Sequence, residues 1–324
     1  MKAALKTSVA LLLCMAATPA LANRVFVSNE KGNDVTVIDS ETMEVIGHYP
    51  VGARPRGITI SPDGKELYVC VSDDDLVRVF NPDTMEEMHT LPSGPDPELF
   101  VLHPSGNPLY IANEDDNLVT VVDTKTHKVL AEIPVGVEPE GMAVSPDGKT
   151  VVNTSETTNM AHFIDSTTFE ITANTLVDSR PRFAEFSPDE KHLYVSAEIG
   201  GTVSVIDPAT REVIKKITLE IPGVLPEAIQ PVGVRVTKDS KKVFVALGPA
   251  NRVAVINGET MEVEKYLLVG QRVWQLAFTP DQKYLYTTNG NSNDVSVIDV
   301  AKEEVVKSIP VGQQPWGVTI APNK

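Results

Sequence analysis

A 42-residue period runs through this chain and restricts its fold to a closed array of like units. The block Leu109 to Asp123, LYIANEDDNLVTVVD, recurs as variants at Val25 to Asp39, Leu67 to Asn81, Val151 to Asp165, Leu193 to Asp207, Val243 to Asn257 and Leu285 to Asp299. The closing residues Asp39, Asn81, Asp123, Asp165 and Asp207 stand 42 apart, Asn257 follows after 50, and Asp299 after 42 again. Each copy reads as two strands. Leu-Tyr-Ile-Ala alternates apolar side chains at period two, Asn113 to Asn117 is a polar turn, and Val119 to Val122 is a second, β-branched run. One strand precedes each block, such as Gly57 to Ile60 before the turn Ser61-Pro62-Asp63-Gly64, and one follows it, such as Val129 to Ile133. Four short strands per ~40 residues predict a β-propeller blade, whose sheet buries both faces only between neighbours.

The chain ends set the blade count. The first block has no leading strand, and the sequence finishes with an orphan one, Pro315 to Ile320. Joined, they make a composite blade, so the expectation is an all-β, seven-bladed propeller closed by its own termini, with no long sheet edge left free.

Residues 1–22 are expected to lie outside that fold. Lys2 and Lys6 precede an apolar run from Val9 to Ala17, and Ala20-Leu21-Ala22 obeys the small-residue rule for cleavage before Asn23. They read as a secretory signal too short to span a bilayer, and the location expected is periplasmic. Residues 23–324 are then a single domain, expected to be monomeric. Cys70 is the one cysteine beyond the leader, so no internal disulfide can form; it reads as a small apolar core residue. The net charge is −16, or −18 without Lys2 and Lys6. Such a surface argues against nucleic acid and anionic lipid as partners.

In a propeller the blade-to-blade connections and the loops between second and third strands share one rim of the central channel, where chemistry can vary over a fixed scaffold. The entries into successive leading strands carry Arg54 and Arg56, Asp96 and Glu98, Glu138 and Glu140, Arg180 and Arg182, Gln230 and Val232, Arg272 and Trp274, Gln314 and Trp316. One reading pairs Arg56 with Glu98 and Glu140 with Arg182 across adjacent blades. Partly exposed pairs of that kind contribute ~0 to 1 kcal/mol each. The other reading makes Arg180, Arg182, Arg272, Trp274 and Trp316 an electropositive, aromatic arc for a planar organic anion; both can hold at once, since a ligand carboxylate could compete with Glu98 or Glu140 for the arginines, which puts Arg54, Arg56, Glu98 and Glu140 in the ligand-binding rim too. A second repeat position carries Glu30, Glu114, Glu156 and Glu198, four carboxylates that could hold a hard cation, though without dense ligand spacing. His162 reads as a buried, hydrogen-bonded histidine. No Gly-x-Ser-x-Gly elbow, His-x-x-x-His pair or haem-attachment motif occurs, so no catalytic residue is assigned. The eight-residue insertion, within Glu220 to Pro231, is rich in proline and is expected to overhang the mouth as a stiff partial lid.

Phe26-Val27-Ser28-Asn29, Tyr110-Ile111-Ala112-Asn113 and Tyr286-Thr287-Thr288-Asn289 resemble the Tyr-Val-Thr-Asn repeat of the YVTN β-propeller family. Gly94-Pro95-Asp96-Pro97-Glu98, the run Val152 to Phe163, the run Ala246 to Val253 and the run Gln271 to Phe278 resemble its exported subfamily associated with pyrroloquinoline quinone (PQQ)-dependent alcohol catabolism. That resemblance implies a periplasmic accessory protein, with a quinoprotein dehydrogenase, a cytochrome or a transporter component as partner and PQQ itself, a planar tricarboxylate, as a ligand for the arginine arc. A non-enzymatic binding protein is therefore the leading expectation. Two alternatives stand beside it: a lactonase like some other seven-bladed propellers, with Glu140 or Glu156 acting among arginines, and a structural module of the cell envelope. Arginine neighbours lower a glutamate pKa, which weighs against the general base a lactonase would need.

Overall fold

A computed structural model describes residues 23–322; the leader reading of residues 1–22 lies outside the described residues. Seven four-stranded antiparallel sheets stand around a central channel, each running in sequence order from its innermost strand outward. The composite blade, blade 1, is assembled as expected: Pro315–Ile320 forms its inner strand and pairs antiparallel with Arg24–Asn29, Val25 opposite Ile320 and Val27 opposite Val318. The innermost strands of blades 2 to 7 are Pro55–Ile60, Pro97–Leu102, Pro139–Val144, Pro181–Phe186, Val234–Val236 and Val273–Phe278.

The repeated block owes its composition to three jobs. Its second residue, Phe26, Tyr68, Tyr110, Tyr194, Phe244 or Tyr286, is fully buried, and burial of one such ring contributes about 1.5–3 kcal/mol. Its closing Asp or Asn builds the turn to the outermost strand: Asp123 Oδ1 accepts from the N–H groups of Lys125 and Thr126 at 2.9 and 2.7 Å, and Asp39, Asn81, Asp165, Asp207 and Asn257 repeat the pattern. Its hydroxyl residues staple blade to blade. Ser28 Oγ donates to the Arg56 carbonyl at 2.6 Å, Ser72 to Pro97 at 2.7 Å, Ser196 to Val232 at 2.6 Å and Thr288 to Trp316 at 2.7 Å.

These staples draw the inner strands close enough that glycine is needed between them. A Cβ on Gly57 would sit 2.6 Å from the carbonyl oxygen of Glu98 in the next blade. Gly57→Ala is therefore expected to lower stability by about 1–3 kcal/mol through forced separation of blades 2 and 3, read as a shift in the urea unfolding midpoint.

The insertion is anchored at both ends, while Pro222, Gly223, Leu225, Pro226 and Glu227 between them stay exposed. Ile221 and Ile229 are buried in one cluster with Leu219, Val234 and Leu247, and the Glu220 N–H donates to the Tyr266 hydroxyl at 3.2 Å. Its isoleucines pin the segment to the junction of blades 5 and 6, and it reaches the channel mouth through Gln230, which bonds Arg272 at 2.6 Å.

Candidate functional site

The rim residues are held by a device not read from the sequence. Arg54, Arg180 and Arg272 adopt left-handed backbone at φ of +56°, +58° and +56°, as do Asp96, Glu138 and Gln314. For non-glycine residues this conformation carries a cost of about 1–2 kcal/mol. Each is fixed by an Asn or Asp 21 residues earlier, itself left-handed, whose side-chain oxygen accepts from the rim N–H: Asn33 for Arg54 at 3.0 Å, Asn159 for Arg180 at 3.0 Å, Asn251 for Arg272 at 2.9 Å. Asp75, Asn117 and Asn293 do the same for Asp96, Glu138 and Gln314. The constant offset of 21 was the available signal.

Both expected cross-blade pairs form. Arg56 binds Glu98, and Arg182 Nη2 lies 2.9 Å from Glu140. They belong to two wider networks. In the first, Glu98 is shared by Arg54 at 3.2 Å and Arg56, Asp96 holds Arg54 at 2.9 Å, and Glu30 lies 3.5 and 3.2 Å from the two arginines. In the second, Arg182 also binds Glu156, Arg180 reaches Glu156 and Glu198 at 2.9 and 3.0 Å, and Arg272 meets Glu198 at 3.0 Å and Gln230 Oε1 at 2.6 Å. The side chains of Glu98, Glu140, Glu156 and Arg182 are 0, 2, 1 and 8 % exposed, whereas Arg56, Arg272 and Arg180 keep 17, 21 and 40 %.

The anion-binding arc is thereby corrected in two respects. Arg180, Arg182 and Arg272 are each paired with carboxylates of the fold, so an incoming anion has to compete with Glu140, Glu156 and Glu198 for them. Trp316 is 1 % exposed, stacked beneath the rim with Arg56 5.6 Å from its ring. Trp274 stays at the mouth, with Arg272 and Arg182 at 4.2 and 5.7 Å, and the two indoles lie 6.3 Å apart. A cavity of about 420 Å³ opens beside Arg272 and Trp274, bounded also by Glu30, Asn251, Asn291 and Gln314.

The four carboxylates weighed for a metal do not converge. Glu30 is held by Arg54 and Arg56, while Glu156 and Glu198 are held by Arg180 and Arg182. Among the described residues the one grouping at metal-ligand spacing is Asp96, Glu98 and Glu114, whose oxygens lie within 4.8 Å of one another. Glu98 and Glu114 share a hydrogen bond there. Burial, the neighbouring Glu98 charge and that bond push the Glu114 carboxyl up to about 8, so it carries a proton at neutral pH. Glu98, despite full burial, is held below the usual carboxylate range by Arg56. Glu140 goes the other way: burial, with Glu98 and Glu156 nearby, outweighs Arg182 and raises it well above that range. The expectation that arginine would win at Glu140 is thus reversed by desolvation. His162 is as expected, its Nε2 accepting from the Gly136 N–H at 2.9 Å and its Nδ1 bonded to Asn174 Oδ1 at 2.6 Å.

A seven-bladed propeller whose channel mouth is closed by buried carboxylate–arginine networks, with one cavity at an arginine and an indole, is the class that fold and site define. The family model for the lactonase, 7-bladed β-propeller matches residues 145–307, half of the chain, and the chain belongs to that family. A putative 6-phosphogluconolactonase from Bacteroides fragilis NCTC 9343 superposes with a TM-score of 0.80 at 20% identity, over 94% of this chain and 99% of that one. A second, from Bacteroides uniformis ATCC 8492, gives 0.78 at 17% over 93% and 100%. A chain of the Kuenenia stuttgartiensis hydrazine synthase gives 0.74 at 22% over 83% and 95%. At these identities the neighbours show the shared fold. No curated protein sequence matches the chain. The family match overturns the leading expectation, a non-enzymatic accessory protein of PQQ-linked alcohol oxidation, and favours its lactonase alternative.

Proposed function

We propose that this protein is a lactonase-type hydrolase working at the arginine-lined mouth of the channel. The observation that carries the reading is the family match over residues 145–307; the two Bacteroides neighbours bearing lactonase names support it. Lactone hydrolysis adds water across the ring ester: the carbonyl carbon gains the water oxygen, the ring C–O bond breaks, and the leaving alkoxide takes a proton. The mouth supplies matching groups. Arg272 beside Trp274 can hold the ester or a ring substituent in the 420 Å³ cavity and stabilise oxyanion charge.

The experiment is a pH-stat assay on five- and six-membered ring lactones. The protein is expected to release acid above the uncatalysed background, and Arg272→Gln to lose about 100-fold or more in kcat/KM. A wild-type protein that hydrolyses no lactone of either ring size would refute the reading. We also infer, from the leader-like residues 1–22, that the domain acts in the periplasm, and from the Tyr-Val-Thr-Asn-like blocks that it stands with the YVTN-repeat propellers. A periplasmic form beginning at Asn23 by mass spectrometry is the expected outcome for export.

A further inference from the structure

The most exposed large apolar side chains are gathered on one arc of the rim face. Leu176, Ile199, Leu225 and Leu268 are 65, 67, 66 and 66 % exposed, and the next among the described residues stand at 49 %. Each lies within five residues of a rim side chain: Leu176 before Arg180, Ile199 after Glu198, Leu225 before Gln230, Leu268 before Arg272. Leu176 and Leu268 end the outermost strands of blades 4 and 6, whereas those of blades 1, 2, 3 and 7 end in Pro50, Pro92, Pro134 and Pro310. Proline blunts a sheet edge, and leucine in its place adds apolar surface instead.

Hydrogen bonds join the four segments into one surface. The Gly200 N–H, beside Ile199, donates to the Ser179 carbonyl at 3.0 Å in the connection that follows Leu176. The Leu219 N–H, where the insertion begins, donates to the Gly201 carbonyl at 3.1 Å. The Tyr266 hydroxyl that accepts from Glu220 stands two residues before Leu268. Buried Ile221 and Ile229 flank Leu225, so it is presented from an anchored loop. A contiguous exposed apolar surface of this kind marks a site of protein contact.

The charge beside the arc selects what covers it. Arg180 is paired with Glu156 and Glu198, and Lys216 with Asp178 at 2.9 Å. Lys215 and Lys265 stand lower on the outer strands, among Glu262 and Glu264 in the cleft between blades 5 and 6. Glu220 and Glu227 are exposed with no ion pair among the described residues, and toward blade 3 the rim stays acidic at exposed Asp115. We propose that the rim face of blades 4 to 6 docks a protein partner that presents an apolar patch flanked by lysine or arginine. Apolar contact supplies the affinity, and the complementary charges set approach and orientation. A second copy laid arc on arc brings Glu220 and Glu227 against their own kind, which disfavours it.

The test is fluorescence anisotropy with a labelled helical peptide carrying leucine on one face and lysine on the other, a minimal probe of that chemistry. Saturable binding is expected, weakening as salt is raised. Ile199→Ser and Leu225→Ser should each weaken it about 5- to 10-fold, as truncation at the centre of an interface does. The double variant Glu220→Gln/Glu227→Gln should flatten the salt dependence. Controls on the outer part of blade 1, Ile46→Ser and Glu41→Gln/Glu44→Gln, should leave affinity unchanged; all of these side chains are exposed, so every variant is expected to fold. The proposal is overturned by absent or non-saturating binding, by controls that weaken it as much as the rim variants, or by equal affinity for a peptide with glutamate in place of lysine. It is also overturned if the protein alone sediments as a dimer that Leu225→Ser dissociates, which makes a second copy the occupant. Neither Arg272 nor Trp274 belongs to the arc, so the result is independent of lactone turnover.

Discussion

Deletion of residues 315–324 is expected to abolish the native cooperative unfolding transition. The deleted strand is the inner wall of blade 1: it pairs with Arg24–Asn29, its Gly317 N–H donates to Ser28 Oγ at 2.9 Å, and the Gln314 carbonyl just before it accepts from the Glu30 N–H at 2.9 Å. Val318 and Ile320 pack with Val25, Val27 and Val295, and Trp316 fills the centre of the ring. At about 1.5–3 kcal/mol for each of these three side chains, the loss approaches the whole stability of a typical domain, about 5–15 kcal/mol. It also leaves Arg24–Asn29 as an open edge, a template for pairing with other chains. Circular dichroism melting should show a broad, low-temperature transition, and light scattering should show association. A synthetic peptide of residues 313–324 added in trans should restore a sharp transition. A truncated chain that melts as the full one does would mean the ring is not closed by its ends.

The second large effect lies in the channel. Arg182→Met is expected to destabilise the protein by about 3–5 kcal/mol at pH 8, the cost of stranding buried charge, because Glu140 loses the guanidinium 2.9 Å away and Glu156 keeps only Arg180, while both remain almost wholly buried. Combining it with Glu140→Gln and Glu156→Gln should recover most of the loss, since neutral amides in the same space strand no charge. The pH dependence has a definite sign. Burial raises Glu140 and Glu156 above the ordinary carboxylate range. A carboxyl with a raised native pKa favours folding most when protonated, and that contribution is lost as pH rises from about 4.5 through the native value. Without Arg182 both rise further. The defect measured by urea unfolding should therefore be smaller at pH 5 than at pH 8, whereas an equal defect at both would mean that packing, not charge, was lost. Glu98 carries the opposite sign: held low by Arg56, it contributes stability above about pH 4.5 that disappears on further acidification.

Several features were legible in the residues alone, for a local reason. An alternating apolar run, an Asp or Asn that caps a turn, and a leading strand left over at residues 315–320 each specify their structure through neighbours a few positions away, and repetition at 42 multiplied a weak signal sevenfold. The buried aromatics of the repeat and the bonded state of His162 followed in the same way. Pairing of Arg56 with Glu98 and of Arg182 with Glu140 was readable because equivalent positions in adjacent blades must meet.

The tertiary structure alone decided what those charges amount to. Burial is a property of the closed ring, and no single blade sequence states it. It converts surface ion pairs worth little into networks that cannot be broken cheaply, reverses the shift expected at Glu140, keeps a proton on Glu114 near neutrality and hides Trp316 beneath the rim. The apolar chamber at the far mouth draws on the inner strands of all seven blades at once. Pattern fixes where each side chain stands along its strand; the dielectric around it and the company it keeps come from the packed assembly.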